Sequence, residues 1–359
     1  MSLHLLLAAE LRADVEAGFE VFGISAPGRY VPAVEALGVT HVPVASLTRA
    51  WSPSRDLRAA SELFTTLRRL RLDVLHTHTP KAGVLGRVMG RAARVPVVVD
   101  TCHGLWMRDD DSRAKKAAVV GVEALASQFA HFGLYQNAED RRALRRLVRQ
   151  SRSRVVGNGV DLLRFRFDAA GRERVRAELG VRSGEQLVGG VGRRAAEKGI
   201  PELAASARAL EGRARFVWVG PPDVGSGPEP AGLTFLEERT DMAAVYSALD
   251  VFALPSHREG FSRSAMEAAA CGRAMVLSDI RGCREIGEHD RHVLLVPAHD
   301  IGALTDALGR LLDDHALRHR LGEAARQRAE QEFDQRRVAQ ASIDTYRLVA
   351  ARRGLAWPP

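Results

Sequence analysis

The sequence predicts an α/β fold that is built twice, in two halves of similar size. The chain has 359 residues, which at roughly 150 residues per domain fits two domains. Short β-type runs alternate with helical stretches in both halves, as is typical of sheets covered by helices. Between the halves, the segment 153–165 contains Gly157 and Gly159, which favour a turn, so we place the boundary there.

Continuous apolar runs predict the strands. Runs of this kind, bounded by helices, are typical of strands buried on both faces of a parallel sheet. The spacing of apolar residues over 55–70 and 81–93 predicts two of the intervening helices. The predicted strands are residues 19–25, 39–44, 73–78, 95–101 and 131–136 in the first half and 187–191, 215–219, 233–236, 250–254, 274–277 and 293–296 in the second.

The beginning of the chain departs from a standard doubly wound sheet. Residues 3–17 carry apolar residues at helical spacing, so we expect a helix there, ahead of the first predicted strand. In a sheet of order 3-2-1-4-5 the first strand is central and its loop approaches the ligand. We therefore expect that the central strand and its loop are missing. The alternative is that the helix opens a sheet of a different order.

Composition excludes several classes of protein. Apolar residues make up 46% and charged residues 27%, close to the average for soluble domains. The three cysteines are too widely spaced for a disulfide framework or a zinc motif, so we expect a reducing, cytoplasmic location. The net charge is +8, but only four of the 52 basic residues are lysine. We attribute so strong an arginine bias to genome composition, and it says little about partners.

The stretch 254–272 combines a strand end, a turn at Gly260 and the start of a helix near Ser262. Free N–H groups at a helix N-terminus attract phosphate. A carboxylate such as Glu267, one turn into that helix, can accept hydrogen bonds from ribose hydroxyls. Ser264 and Glu267 also have the spacing of a capping box, which would only start the helix. The sequence leaves both interpretations open.

A second stretch, 187–201, places two cations after a predicted strand. Arg193 and Lys198 lie in the glycine-containing loop before Pro201. Two cations in such a loop can bind a diphosphate and stabilise it as a leaving group. Arginine is common in this chain, whereas lysine is scarce, so Lys198 is the more informative of the two. The stretch lacks a Walker or dinucleotide-binding motif.

Together these stretches resemble the retaining nucleotide-sugar glycosyltransferases of the GT-B fold, family 4 (group 1). The most specific motifs are the pairs Arg193–Lys198 and Glu259–Glu267, and the resemblance covers nearly the whole chain. Supporting stretches include HTHTPKAG (76–83), TCHG (101–104) and GNGVDLLRF (157–165). The resemblance implies two Rossmann-like domains facing a cleft. The two are an acceptor-side domain (1–157) and a nucleotide-sugar-binding domain (158–335). The resemblance further implies a C-terminal helix (336–359) that crosses back to the first domain.

The resemblance also implies a role for each motif residue. Arg193 and Lys198 would bind the donor diphosphate. Glu267 would bind the ribose, and Glu259 would lie beside the donor sugar. His103 would face the reacting sugar from the first domain. The backbone that lines the sugar and phosphate would be that of Gly260, Phe261 and Ser262.

The implied activity is transfer of a sugar from a UDP- or GDP-linked donor to an acceptor hydroxyl, with retention, in the synthesis of cell-surface polysaccharide, glycolipid or glycoconjugate. The family usually needs no metal, so we expect no cofactor. Glu237 stands where the family often has glycine, which would alter the base pocket. A nucleotide-sugar epimerase of the same architecture is the main alternative, although the two motif pairs argue against it. A nucleic-acid or other polyanion-binding protein, suggested by the charge, is unsupported by any recognised motif.

Residues 139–154 carry seven arginines, six of which follow a helical pattern, with leucines offset from them. A basic amphipathic helix of this kind binds an anionic membrane surface, and a solvated arginine face is the alternative. A lipid-linked acceptor would favour a peripheral position on the inner face of the membrane.

His76 and His78 alternate on a predicted strand and therefore point to the same face. They could hold a metal, but the sequence reveals no third ligand, and we expect none to be bound.

Overall fold

The computed structural model describes residues 2–48, 52–108, 110–223 and 227–357, which form two compact units. The first unit comprises residues 1–157 together with 335–359, and the second comprises residues 158–334. The pairing between named strands is parallel in both units. The α/β class predicted from the sequence is therefore confirmed.

Five strands described in the first unit agree with the predicted runs to within a few residues, and the sixth, β6, was not predicted. The strands are β1 (Phe22–Ser25), β2 (Thr40–Pro43), β3 (Val74–His78), β4 (Val97–Cys102), β5 (Phe132–Tyr135) and β6 (Ser153–Val155). The helices are α1 (Ser2–Leu5), α2 (Ala8–Glu16), α3 (Val31–Glu35), α4 (Pro53–Leu70), α5 (Pro80–Ala92), α6 (Arg113–Ser127) and α7 (Ala138–Ala143).

The strands of the first unit lie in two sheets. β1 pairs with β2, and β3 to β6 form a second sheet in sequential order. The start of the chain is helical, as predicted, although it forms two helices rather than one. Among the described residues no backbone pairing joins β1 to β3, so these strands do not form one continuous sheet of any order.

The second unit contains one six-stranded sheet of order β12-β11-β10-β7-β8-β9. Its strands are β7 (Gln186–Val191), β8 (Ala214–Val219), β9 (Thr234–Leu236), β10 (Val251–Leu254), β11 (Ala274–Ser278) and β12 (Leu294–Val296). Its helices are α8 (Ala169–Glu178), α9 (Ile200–Ala209), α10 (Met242–Ala248), α11 (Arg263–Ala270), α12 (Ile301–Asp313) and α13 (His315–Glu332). All six predicted strands are confirmed, and every residue of β10 and β11 is buried, as expected for central strands.

The last helix, α14 (Gln335–Arg352), packs within the first unit. Its residues Ile343, Tyr346 and Val349 share a buried apolar cluster with Val99 of β4 and Leu134 of β5. The helix therefore covers one face of the β3–β6 sheet.

Polar side chains set the starts of several helices in the second unit. Asp168, Ser262, Asp300 and Asp314 precede α8, α11, α12 and α13, and each side chain accepts a hydrogen bond from the N–H three residues ahead. Such caps satisfy backbone donors that have no partner inside the helix.

The order of the six-stranded sheet contains a switch point. From β7 the chain moves outward through β8 and β9, then returns to the other side of β7 at β10 and continues through β11 and β12. Ligands of open parallel sheets bind beyond the carboxyl ends of the strands at such a point. The loops after β7 and β10 carry both sequence motifs.

Candidate functional site

Close packing brings the loops after β7 and β10 together. Lys198 ends a single 3-10 turn, and the next residue, Gly199, has a φ of 67°. A side chain at Gly199 would overlap the carbonyl oxygen of Pro255, at the end of β10, so only glycine permits this approach. The approach places Lys198 against the loop that carries Glu259.

Lys198 and Glu259 form an ion pair. The Nζ atom of Lys198 lies 2.7 Å from Oε1 of Glu259, and only 16% and 11% of the two side chains are exposed. Gly282 supports the loop from the other side, since a Cβ there would lie 2.7 Å from the carbonyl oxygen of Glu259. Because both charges are largely removed from water, each depends on the other for compensation. The structure thus joins two predicted site residues that are 61 positions apart in the chain.

Acidic side chains of neighbouring loops surround Arg193. Its guanidinium pairs with Asp223 and lies 3.8 Å from Glu197. Glu197 also pairs with Arg258, 2.9 Å away. Burial acts to raise the pKa of Glu197, but the Arg258 hydrogen bond and the nearby cations hold it below its usual value. Arg193 therefore belongs to a network of alternating charges at the strand ends.

Arg194, the next residue, pairs with Glu237, the residue that departs from the family pattern. The side chain of Arg194 is 9% exposed and donates to the carbonyl of Gly220. It pairs with Glu229, and its Nη2 atom lies 2.6 Å from a carboxylate oxygen of Glu237. Glu237, which follows β9, thus helps to neutralise a largely buried arginine of the loop after β7.

Glu267 lies within α11, and its side chain does not cap that helix. Ser262 is the N-cap residue, and its Oγ accepts from the N–H of Ala265 at 3.4 Å. The Glu267 carboxylate instead accepts a hydrogen bond from the hydroxyl of Tyr246 at 2.8 Å and lies 3.4 Å from Nε of Arg263. The capping-box interpretation is therefore wrong. Burial raises the pKa of Glu267, although the charge of Arg263 opposes this.

The side chains of Phe261 and Ser262, which follow Glu259, are buried and contribute to packing and to the helix cap. The ring of Phe261 is buried and meets Phe333 edge-on, with ring centroids 5.5 Å apart. Ser262 is 1% exposed and serves as the helix cap. Gly260 has no side chain, so these three positions can offer a ligand little besides backbone groups.

In the first unit, His103 follows β4 and belongs to a row of three histidines. Its Nε2 atom lies 2.9 Å from Nδ1 of His78, whose ring centroid is 4.1 Å from that of His76. Burial lowers the pKa of His103 to about 4 and that of His76 to about 3. At neutral pH His103 is therefore uncharged, and it can form hydrogen bonds without contributing a positive charge.

A largely apolar cavity of about 310 Å³ adjoins His103 within the first unit. Its lining includes Thr79, Pro80, His103, Trp106, Val119 and Val122. Arg87 also contributes to the lining, and its Nη1 atom lies 2.6 Å from Glu123 and 3.3 Å from Asp100. No motif in the sequence predicts this cavity, because its walls come from several separate segments.

Glu10 of α2 is a third potential metal ligand beside His76 and His78, which the sequence did not reveal. One ligand atom from each residue lies within 4.8 Å of the others. Both ring nitrogens of His76 are already hydrogen-bonded, one to the hydroxyl of Tyr346 and the other to that of Thr101, each at 2.7 Å. This set is therefore a hydrogen-bonded network rather than an open ligand set.

The arginine-rich stretch 139–154 does not form the predicted basic amphipathic helix. Helix α7 ends at Ala143, and β6 (Ser153–Val155) pairs with β5. The physical reason is Arg141, whose guanidinium donates to the hydroxyl and carbonyl of Ser153 and to the carbonyl of Gln150. These bonds fold the chain back on itself. Several arginines of the stretch nonetheless remain exposed.

The fold and the charged strand ends define the class of protein. Residues 5–159 match the family described as glycosyl transferase 4-like domain, and residues 185–314 match glycosyl transferases group 1. The crystal structure of Anabaena HepE in complex with UDP and glucose is similar in fold, with a TM-score of 0.80 at 20% identity over 94% of this chain and 95% of that chain. The class is therefore that of the GT-B glycosyltransferases, with two Rossmann-like domains.

Sequence relatives show the family. A D-inositol 3-phosphate glycosyltransferase from Xylanimonas cellulosilytica is 31% identical over 316 residues, covering 78% of this chain and 73% of its own. An N,N'-diacetylbacillosaminyl-diphospho-undecaprenol alpha-1,3-N-acetylgalactosaminyltransferase from Campylobacter jejuni is 27% identical over 344 residues, covering 91% of this chain and 90% of its own. The chain belongs to the group 1 glycosyltransferases of family 4, which confirms the resemblance stated from its motifs.

None of the described helices is both long enough and apolar enough to span a lipid bilayer.

Proposed function

We propose that this glycosyltransferase transfers a sugar from a UDP- or GDP-linked donor to a hydroxyl of a lipid-diphosphate-linked acceptor, with retention of anomeric configuration. The observation that carries the proposal is the Lys198–Glu259 ion pair near Arg193 at the switch point of a parallel sheet. The Anabaena complex supports a UDP-linked donor, and the name of the Campylobacter relative supports a diphospho-polyprenol acceptor. Such a reaction would serve the synthesis of cell-surface polysaccharide or glycolipid.

Donor binding would exchange one set of ion pairs for another. Lys198 is paired with Glu259, and Arg193 is paired with Asp223. A diphosphate offers both cations stronger, charge-assisted contacts. Glu259 then accepts hydrogen bonds from hydroxyls of the donor sugar. Because Lys198 and Arg193 remain paired throughout, binding leaves neither cation buried without a partner.

The transfer itself breaks the bond between C1 of the sugar and the diphosphate oxygen. The acceptor oxygen bonds to C1 on the same face, and the acceptor proton passes to the leaving phosphate oxygen. Arg193 and Lys198 stabilise the negative charge that develops on the diphosphate. We propose that these two side chains perform this role without a metal, and that neutral His103 orients a reacting hydroxyl by a hydrogen bond.

A lipid-linked acceptor requires access to a membrane surface. The first unit exposes Trp106, Val122 and Leu125, with 49%, 53% and 66% of each residue accessible. The same unit exposes Arg145 and Arg146 of the arginine-rich stretch 139–154. Lys115 lies 5.9 Å from the ring centroid of Trp106, and an exposed apolar side chain beside a cation favours contact with anionic headgroups. We propose that this unit associates peripherally with the inner face of the membrane.

The test is a transfer assay with the full chain, UDP- and GDP-sugars, and a short-chain polyprenyl-diphosphate sugar as acceptor. Mass spectrometry is expected to show acceptor enlarged by one sugar, and NMR to show the anomeric configuration of the donor in the product. Vesicles with and without anionic lipid test the membrane contact separately. An inverted product would overturn retention. A failure of every nucleotide and nucleotide sugar to stabilise the protein thermally would overturn the donor assignment.

A further inference from the structure

Three side chains from distant segments of the second unit meet behind the loop that carries Glu259. Glu202 lies in the first turn of α9, His257 in the loop after β10, and His299 in the loop between β12 and α12. The Nε2 atom of His257 lies 2.7 Å from Oε1 of Glu202, and Nδ1 of His299 lies 3.5 Å from the same oxygen. One ligand atom from each residue lies within 4.8 Å of the others.

The ligand atoms of this cluster and the distances between them suit a divalent transition metal ion. Zinc binds imidazole nitrogen and carboxylate oxygen at about 2.0 to 2.2 Å, so neighbouring ligand atoms of a tetrahedral site lie roughly 3.3 to 3.6 Å apart. The 2.7 and 3.5 Å separations lie on either side of this spacing, and the two imidazole rings, whose centroids are 3.8 Å apart, would separate to bind one ion. Two imidazoles and one carboxylate leave one position for water.

Burial and bonding at the cluster leave capacity for an ion. The Oε2 atom of Glu202 is buried and has no hydrogen-bond partner among the described residues. The side chains of Glu202 and His257 are 13% and 12% exposed, whereas that of His299 is 49% exposed, so the cluster has one open side. A buried carboxylate oxygen without a partner is costly unless something binds it.

The histidine row of the first unit provides a contrast. There, both nitrogens of His76 are hydrogen-bonded, and Glu10 accepts a hydrogen bond from Ser342 at 3.0 Å. Those ligand atoms are already used, although Glu10 and the two histidines are as close together as the cluster in the second unit. Proximity alone therefore does not distinguish the two sets, but the unpartnered oxygen of Glu202 does.

We propose that Glu202, His257 and His299 bind one divalent transition metal ion, with Zn²⁺ as the best fit. The ion ties together three segments that are far apart in the chain. Two of them carry the ion pair of the candidate site, because His257 is two residues before Glu259 and Glu202 is four residues after Lys198. The metal is structural, because it stabilises the loop after β10 and the start of α9. The metal site does not depend on which nucleotide sugar is the donor substrate.

The variant His299→Gly separates the loss of a ligand from a loss of folding. His299 has a φ of 66°, a conformation that glycine adopts without strain, so this substitution is expected to preserve or improve stability. His257→Gln removes a second ligand as an independent check. The matched control is His319→Gln, because His319 is an exposed histidine on α13 outside the cluster.

The experiment uses the full chain, stripped with a chelator and then titrated with Zn²⁺ or Co²⁺. Wild type and His319→Gln are expected to bind one more ion per chain than His299→Gly or His257→Gln, and to give a Co²⁺ visible spectrum that both of these variants lack. At a hundredfold excess of Zn²⁺ over the dissociation constant, the melting temperature of wild type should rise by about 5 °C or more. Equal stoichiometry and affinity in wild type and His299→Gly would overturn the proposal. No UDP enters this measurement, so its outcome is separate from that of the transfer assay.

Discussion

The carboxyl ends of the parallel strands carry different chemistry in the two units. In the second unit they carry charges in pairs, Lys198 with Glu259 and Arg193 with Asp223. In the first unit the same end of β4 leads to His103, which is uncharged at neutral pH, beside a largely apolar cavity. Parallel strands in the same kind of layered unit thus lead to an ionic site in one case. In the other they lead to a site named neutral here for its uncharged His103, although Arg87, Glu123 and Asp100 form ion pairs in the cavity wall.

The pKa values of acidic residues show the physical origin of this difference. Burial raises the pKa of Glu10 to about 7 in the first unit. In the second unit the pKa of Glu197 is held below its usual value despite burial, because Arg258 and other cations lie next to it. Desolvation alone favours the neutral form of a carboxyl group, and desolvation with a paired cation favours the ion. The ionic site suits a diphosphate, and the neutral one suits an uncharged hydroxyl acceptor.

The largest expected effect is at the charged site. Lys198→Ala removes a cation that would bind the leaving diphosphate, so turnover with the preferred nucleotide sugar should fall by about 10²-fold or more. Arg193→Ala should have a similar effect. Arg291→Ala is the control, because Arg291 is exposed and pairs with Glu288 away from the strand ends. The variants are compared by their initial rates at saturating acceptor. Wild-type rates in both Lys198→Ala and Arg193→Ala would refute the role of these cations in binding the diphosphate.

A smaller effect is expected at Glu267. Glu267→Gln keeps an acceptor for the Tyr246 hydroxyl but removes the negative charge that would bind ribose. Donor affinity, measured by calorimetry, should weaken about 30-fold, or ~2 kcal/mol, as for the loss of a hydrogen bond to a charged group. The melting temperature should stay unchanged. Tyr246→Phe controls for the hydrogen bond alone. A lowered melting temperature with normal donor affinity would exclude the ribose role.

At the neutral site, His103→Gln should lower kcat by about 10-fold or less, because it replaces one uncharged hydrogen-bonding group with another. The KM for the donor should not change. His41→Gln, at a histidine of β2 that contacts Ser25, is the control. An effect of His103→Gln on donor KM instead of kcat would mean that the first unit also holds the donor diphosphate.

Much of the fold could be predicted from the sequence, because buried parallel strands leave a strong local signal. The run 215–219 coincides with the last five residues of β8. The helix prediction for 139–154 was wrong because a helical pattern reflects only neighbouring residues. The hydrogen bonds from Arg141 to Ser153, which fold the stretch back, join residues far apart in it. The capping-box prediction at Ser264 was wrong because Ser262 is the N-cap residue of α11. Residue spacing alone does not distinguish the two serines.

The candidate site was predictable in its residue types and only partly in its contacts. The motifs located Lys198 and Glu259, but not their direct ion pair, which depends on the packing of Gly199 against Pro255. The cluster of Glu202, His257 and His299 gave no signal, since Glu202 and His257 are 55 positions apart and no motif spacing links them.

The smallest effect concerns stability in the first unit. The pKa of Glu10 in the folded protein, about 7, lies above the value of 4.5 expected for the unfolded chain. Its contribution to stability is therefore present below about pH 4.5 and lost as the pH rises through 7. Glu10→Gln should raise the melting temperature at pH 8 by about 3 °C, for ~1 kcal/mol, because it removes the cost of burying the charge, while a weaker hydrogen bond from Ser342 offsets part of the gain. At pH 4 the two proteins should melt alike, and an equal difference at both pH values would contradict the assignment.

The most direct test of the ionic and neutral sites is calorimetric titration of UDP and GDP into three proteins: wild type, Lys198→Ala and His103→Gln. The contrast between the units predicts that one of the nucleotides binds wild type and His103→Gln with equal affinity. Lys198→Ala should bind that nucleotide about 100-fold more weakly, since it lacks a cation for the diphosphate. Undiminished binding by Lys198→Ala, or a matching loss in His103→Gln, would contradict the assignment of the diphosphate to the charged strand ends of the second unit.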